Sequence, residues 1–241
     1  MAVSVDIKAL LEAGVHFGHK TSRWHPKMAP YIHSKRQGIH IIDLTHTVEA
    51  LEKALPFLSG VAASGKQILL VGTKRQAKAL VHKTAEDTKQ PYVVERWMGG
   101  MLTNSATVNT QIKRLKQLEN RMASGDLAKR YNKLEVQRFQ EEIDAMNLKY
   151  GGIKELNGKP GAVFVTDIIE DHNAVKEAKR LGVPVVALVD SNANPGDVDY
   201  PIPANDDAIK GLQLIMDYVA QAIAEGAARK QAAAPAKSDE K

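Results

Sequence analysis

GAVFVTDIIEDHNAVKEAKRLGVPVVALV (residues 161–189) reads as strand, helix, strand. Gly161–Thr166 and Pro184–Val189 are short, nearly unbroken apolar runs, the pattern of strands covered on both faces, and Asp171–Leu181 between them has helical spacing. The same rhythm appears earlier in QILLVG (residues 67–72), a helix over Gln76–Thr88 and a short strand at Tyr92–Glu95. A last helix follows from Asp206 to about Ala224. Strands alternating with helices build a parallel sheet, so the expected fold is a three-layer, doubly wound α/β domain of the flavodoxin- or Rossmann-like kind with right-handed crossovers.

Ahead of this unit, Ile7, Leu10 and Leu11 share one face of a short helix over Asp6–Ala13, with Gly14 as its stop. Ile39, Ile41 and Ile42 predict a buried strand. Val48, Leu51, Leu55 and Leu58 predict a helix over Thr45–Ala63, with a kink or an end at Pro56.

One segment breaks the alternation. Thr103–Tyr150 is helical throughout and too long for one crossover. Apolar positions Val108, Ile112, Leu115, Leu118 and Met122, then Phe139, Ile143, Met146 and Tyr150 after the Ser124-Gly125-Asp126 break, predict an antiparallel helical hairpin. Arms of some twenty residues would reach about 30 Å at 1.5 Å per residue, a projecting two-stranded coiled coil. The expected organisation is an α/β domain formed by residues 1–102 and 151–225, a hairpin insertion over 103–150, and a disordered tail over 226–241, which is small, charged and without a large apolar residue.

The stretch HFGHKTSRWHPKMAPYIHSKRQGIHIIDL (residues 16–44) carries the clearest binding chemistry. Lys20, Arg23, Lys27, Lys35 and Arg36 alternate with Trp24, Tyr31 and histidines, and no acid occurs until Asp43. Cations interleaved with flat rings suit a phosphate backbone with exposed bases. Pro26 and Pro30 predict an extended course over residues 16–40. The hairpin adds Lys113, Arg114, Lys116, Arg121, Lys129, Arg130, Lys133 and Arg138, balanced in part by Glu119, Glu135, Glu141, Glu142 and Asp144; the basic residues gather toward its tip and point to a polyanion-binding arm. The loop Arg96–Asn104 (RWMGGMLTN) offers a glycine pair that lets amides approach a phosphate, and Thr103 or Asn104 as a helix cap. The other reading of that loop has Trp97 and Met101 wedging the hairpin against the sheet.

Composition narrows the alternatives. Thirty-three Lys and Arg against 28 Asp and Glu give a net charge of +5, which matters only where it is concentrated. With no cysteine there is no thiol chemistry, disulfide or cysteine-ligated zinc. The start of the chain lacks a signal-like pattern, and no run reaches the roughly 18 apolar residues of a membrane span, so an intact cytoplasmic protein is expected. An enzyme that binds a nucleotide or phosphosugar is the alternative on this fold, resting on the glycine-rich loop and on Asp43, Asp167 and Asp190 just after strands. Against it, Val71-Gly72-Thr73-Lys74 fails the phosphate-loop pattern in order and spacing, no dinucleotide fingerprint or serine elbow is present, and acids after strands usually cap helices or close turns. His16 and His19 are two ligands where a metal needs more. No catalytic residue, cofactor or metal is expected.

Three blocks carry a family resemblance. LLEAGVHFGHKTSRWHPKMAPYIHSKRQGIHIIDL, RWMGGMLTN and PGAVFVTDIIEDHNAVKEAKRLGVPVVALVDSNANP resemble, in order and with the same helical insertion, the signature of bacterial small-subunit ribosomal protein S2 over residues 3–225. The resemblance implies a non-catalytic constituent of the small ribosomal subunit with an α/β domain and a coiled coil. It also implies binding to small-subunit rRNA, late assembly near the messenger exit region, and help in docking the messenger-binding ribosomal protein S1. RNA contact then carries over onto Lys20, Arg23, Trp24, Lys27, Lys35, Arg36 and Arg96, and by charge and position onto the basic residues of the hairpin.

Overall fold

The computed structural model describes residues 5–233. Helix α1 (Ile7–Glu12) is capped by the Asp6 carboxylate, which accepts from the Lys8 amide at 2.8 Å, and Gly14 ends it with φ +77°. Residues 17–42 then form a small antiparallel sheet of their own, β1 (Phe17–Lys20), β2 (Ile32–Arg36) and β3 (Ile39–Ile42), in the order β1-β3-β2. The expected extended course is therefore corrected: two 3-10 turns, Thr21–Arg23 and Pro26–Tyr31, fold the segment between β1 and β2. Pro26 opens the second turn, where its missing N–H costs nothing.

Helix α2 (Leu44–Ala63) is capped by Asp43 and runs through Pro56 without ending. Strand β4 (Ile68–Val71), α3 (Lys78–Thr88) and β5 (Tyr92–Val93) follow, then α4 (Ser105–Ala123), α5 (Asp126–Arg130) and α6 (Lys133–Tyr150). The chain closes with β6 (Ala162–Val165), α7 (His172–Arg180), β7 (Val185–Val189), β8 (Tyr200–Pro203) and α8 (Ile209–Ala233). The main sheet has the order β5-β4-β6-β7-β8 and every neighbouring pair is parallel. Renumbered within the sheet this is 2-1-3-4-5, the flavodoxin-like doubly wound order, whose ligand crevice lies at the carboxyl ends of β4 and β6.

Alternate residues of the strands feed two cores. Ile68, Leu70, Phe164, Val186, Leu188 and Ile202 face α2, α3 and α8; Leu69, Val71, Val163, Val165, Val185 and Ala187 face α7, the 97–102 loop and Met28 from the basic segment. A third cluster ties α4 to α6 through Leu115, Leu118, Ile143 and Met146, whereas Val108 and Ile112, lower on α4, belong to the second sheet-side core. The insertion breaks twice: Gly125 at φ +71° precedes α5, and Asn132 with Glu135 forms a capping box that starts α6.

The last helix overruns the expected end of order at Glu225 and continues to Ala233. Gly226 makes this possible: a Cβ there would lie 2.2 Å from the Ser59 carbonyl oxygen, so only glycine lets α8 press onto α2, and Arg229 then reaches the Ser59 hydroxyl. Residues 234–241 of the expected tail lie outside the described residues. Among the described residues no helix is long and apolar enough to cross a membrane.

Candidate nucleic-acid interface

Backbone amides of the basic segment are tied to the end of the main sheet at Ser191. Ser191, just after β7, accepts from the His19 amide on its hydroxyl (2.8 Å) and from the His25 amide on its carbonyl (2.8 Å). At the far end, β2 turns into β3 through Gln37 (φ +50°) and Gly38 (φ +76°), the paired left-handed conformations of a tight hairpin turn. Lys20 and Arg36 both pair with Ile39 from opposite sides, so the two cations stand on one face about 10 Å apart, two strand spacings. Lys35 lies opposite His40 on the other face, and Trp24 tilts over the buried His40 ring.

Lys20, Arg23, Lys27, Lys35 and Arg36 are all exposed, and none makes an ion pair among the described residues. The two rings divide. Trp24 is 39% exposed, while Tyr31 is half-buried against the second core and meets His46 edge-on at 5.7 Å. Unpaired cations on both faces of the small sheet, with one outward indole on the His40 face, can hold phosphates and stack a base.

Arg96 is exposed, but the loop that follows it is not open to an anion. One carboxylate, Glu177 of α7, takes its donors: Trp97 Nε1–H at 3.0 Å and the Gly100 amide at 2.7 Å on one oxygen, the Leu102 amide at 3.0 Å, the Thr103 amide at 3.1 Å and the Thr103 hydroxyl at 3.0 Å on the other. Burial alone would push this carboxyl up; the hydrogen bonds outweigh it and hold the group below the usual glutamate range. Neither Thr103 nor Asn104 caps α4 through its side chain: the Thr103 hydroxyl is spent on Glu177, and Asn104 Oδ1 accepts from the Thr107 hydroxyl at 3.0 Å. Trp97 and Met101 are buried, which is the wedge.

The basic residues of the insertion differ from those of the first segment. Arg114 pairs with Glu142, Lys116 with Glu155 at 2.7 Å, and Arg121 and Arg130 both with Asp126, at 3.0 and 2.6 Å. Lys113, Lys129, Lys133 and Arg138 are exposed with no ion pair among the described residues.

The crevice at the strand ends is filled by the protein's own charges. Lys74 Nζ lies 2.7 Å from Asp206, 2.7 Å from Asp207 and 3.4 Å from Asp167. Thr73 donates its amide and hydroxyl to Asp171, and His19 pairs with Asp190 at 3.1 Å and reaches Asp207 at 3.6 Å. Burial and the neighbouring Asp190 and Asp167 push Asp206 up to about 8 against the pull of Lys74, and burial pushes Asp171 up to about 6. His19 is raised by its bond to Asp190. The three acids of the enzyme alternative are thus spent: Asp43 caps α2, Asp167 closes a turn on the Ile169 and Glu170 amides, and Asp190 holds His19 and the Asp206 amide. His16 does not join His19; His19, Asp206 and Asp207 are the residues that bring one ligand atom each within 4.8 Å of one another, with the Lys74 ammonium among them. The sequence signal for this cluster was Asn205-Asp206-Asp207 after an unrecognised last strand.

Comparison with known proteins agrees with the three sequence blocks. The family model described as Ribosomal protein S2 matches residues 10–226. Proteins named small ribosomal subunit protein uS2 are similar along nearly the whole chain. That of Dehalococcoides mccartyi strain BAV1 is 47% identical over 222 residues, 92% of this chain and 90% of its own. That of Chloroflexus aggregans is 47% identical over 227 residues, 94% of this chain and 95% of its own. In Sinorhizobium medicae the identity is 46% over 227 residues, 94% and 88% of the two chains. The chain belongs to the ribosomal protein S2 family, whose members are structural proteins of the small ribosomal subunit and not enzymes.

Proposed function

We propose that this protein is a structural constituent of the small ribosomal subunit that grips small-subunit rRNA through residues 20–36 and, secondarily, through its helical insertion. The observation that carries the reading is the set of five exposed cations, Lys20, Arg23, Lys27, Lys35 and Arg36, that have no ion pair among the described residues and share a short segment with an outward Trp24. A protein that used these side chains for its own stability would have paired them, as it paired Arg114 and Arg121. Arg96 extends the surface, and Lys113, Lys129 and Lys133 carry it onto the insertion.

In this reading residues 103–150 form a coiled-coil arm that leaves the α/β domain of residues 1–102 and 151–225. Kinship with the S2 family also supports a part in docking the messenger-binding ribosomal protein S1, in the cytoplasm on the assembled subunit. Tagged protein should co-sediment with small subunits; protein that stays at the top of the gradient while the endogenous subunits form normally overturns the proposal.

A further inference from the structure

Two polar clusters stand out beyond the basic surface, the strand-end charges around Lys74 and the carboxylate of Glu177; the second sits at the root of the helical insertion. We propose that Glu177 is a positioning residue that locks the root of the helical insertion, and with it Arg96, to the α/β domain by filling an anion nest made by residues 97–103.

Five donors converge on this one side chain, two on one oxygen and three on the other. Four of them come from a run of only four residues, Gly100 to Thr103, and two steps later α4 begins at Ser105. Successive amides aimed at one point make a concave site suited to an anion. The nest here is closed by a carboxylate from the same chain, held on α7 whose Val175 and Ala178 pack into the second core. The other root of the insertion is tied differently: Lys154 reaches Glu119 at 2.6 Å, and Gln67 donates to the Glu155 carbonyl at 2.9 Å. Releasing Glu177 therefore loosens the amides of the 100–103 turn, while the apolar contacts of Val108 and Ile112 and the tie at the exit from α6 stay in place.

The geometry of acceptors gives the test its discrimination. Glutamine has the shape of glutamate but one acceptor oxygen, so Glu177→Gln turns an amide group toward donors that need an acceptor. Hydrogen exchange on the free protein should then be faster by at least about tenfold at the amides left facing that group, either Gly100 or Leu102 with Thr103, with Leu70 and Phe164 in the sheet as protected as before. Glu177→Ala should show the same acceleration, and formate, compared with chloride at equal ionic strength, should slow it again by supplying the missing acceptor. Wild-type exchange in Glu177→Gln overturns the lock. Faster exchange in Glu177→Ala that formate leaves unchanged also overturns it, because the side chain would then act by packing.

The consequence for RNA rests on the rRNA-binding reading above. Glu177→Gln should lower affinity for small-subunit rRNA by about fivefold or more, and formate should restore it in Glu177→Ala. Unaltered affinity alongside faster exchange refutes the link between lock and grip. Failure of the wild-type protein to bind rRNA would instead sink the function and leave the lock standing.

Discussion

The indole of Trp24 lies 5.2 Å, centroid to centroid, from the ring of His40 and is tilted 39° to it. His40 is buried and Trp24 is 39% exposed, so the protein supports one side of the indole and leaves the other to solvent. An aromatic ring braced in this way loses little freedom when a base stacks on it. Trp24→Ala should weaken binding to an rRNA fragment by about 1–3 kcal/mol. Because no charge is removed, the slope of log affinity against log salt should stay that of the wild type. A filter-binding titration at several salt concentrations checks both, and equal affinity of the two proteins would remove Trp24 from the surface.

Charge neutralisation should separate the two basic regions. Replacing Arg23, Lys27, Lys35 and Arg36 together by glutamine should lower affinity and flatten the salt slope by about three, since each phosphate contact contributes roughly 0.7–0.9. Replacing Arg114, Lys116, Arg121 and Arg130 should change the slope less, because each already has a carboxylate partner within the protein. Equal losses from the two quadruple variants would show that those ion pairs open on RNA.

How far these features were legible in sequence follows from what each residue faces. Ile68–Val71, Ala162–Val165 and Val185–Val189 are buried on both sides and announce themselves as apolar runs. β8 did not, because Pro201 and Pro203 argue against a strand; it is tolerated at the sheet edge, where a missing N–H need face no neighbour. β1 and β2 are short and polar, so they read as loop. Glu177 looked like an ordinary charge on an amphipathic helix, for its partners are mostly backbone amides, which no residue pattern reveals. Lys74 and Asp206 are 132 positions apart and meet only because β4 and β8 end on the same side of the sheet.

Acidity should test the interior around α7. Asp171 is 1% exposed and its carboxyl is raised by burial from 3.8 to about 6. A carboxyl raised on folding binds its proton more tightly in the folded state. Its stabilising contribution reaches its full value below about pH 4 and is lost as pH rises through 6. The unfolding free energy of the wild type relative to Asp171→Asn should therefore fall by about 2 kcal/mol between pH 4 and pH 7, the rest of the change lying below pH 4, at 1.36 kcal/mol per unit. Urea unfolding of both proteins across that range measures it, and a constant difference would mean that Asp171 is already ionised in the fold.

Lys74 presents the opposite case, a cation whose removal exposes what it was holding together. Its ammonium touches Asp206 and Asp207 at 2.7 Å, and the Asp206 and Asp167 side chains are 3% and 9% exposed. Burial would lower the lysine, yet the bonds to Asp206 and Asp207 raise it, so it is charged throughout the accessible pH range. Above pH 8, where Asp206 is ionised, Lys74→Met keeps the stem and removes the charge, leaving carboxylates crowded without a counter-ion at a loss of about 3–5 kcal/mol. Taking away one of those carboxylates as well should relieve part of the repulsion, so Lys74→Met with Asp206→Asn should be more stable than Lys74→Met alone. A double-mutant cycle from urea midpoints decides it. If the single variant unfolds at the wild-type midpoint, the charges at the strand ends are solvated rather than held by Lys74. If the double variant is the less stable, Asp206 is held by its other neighbours and not by the lysine.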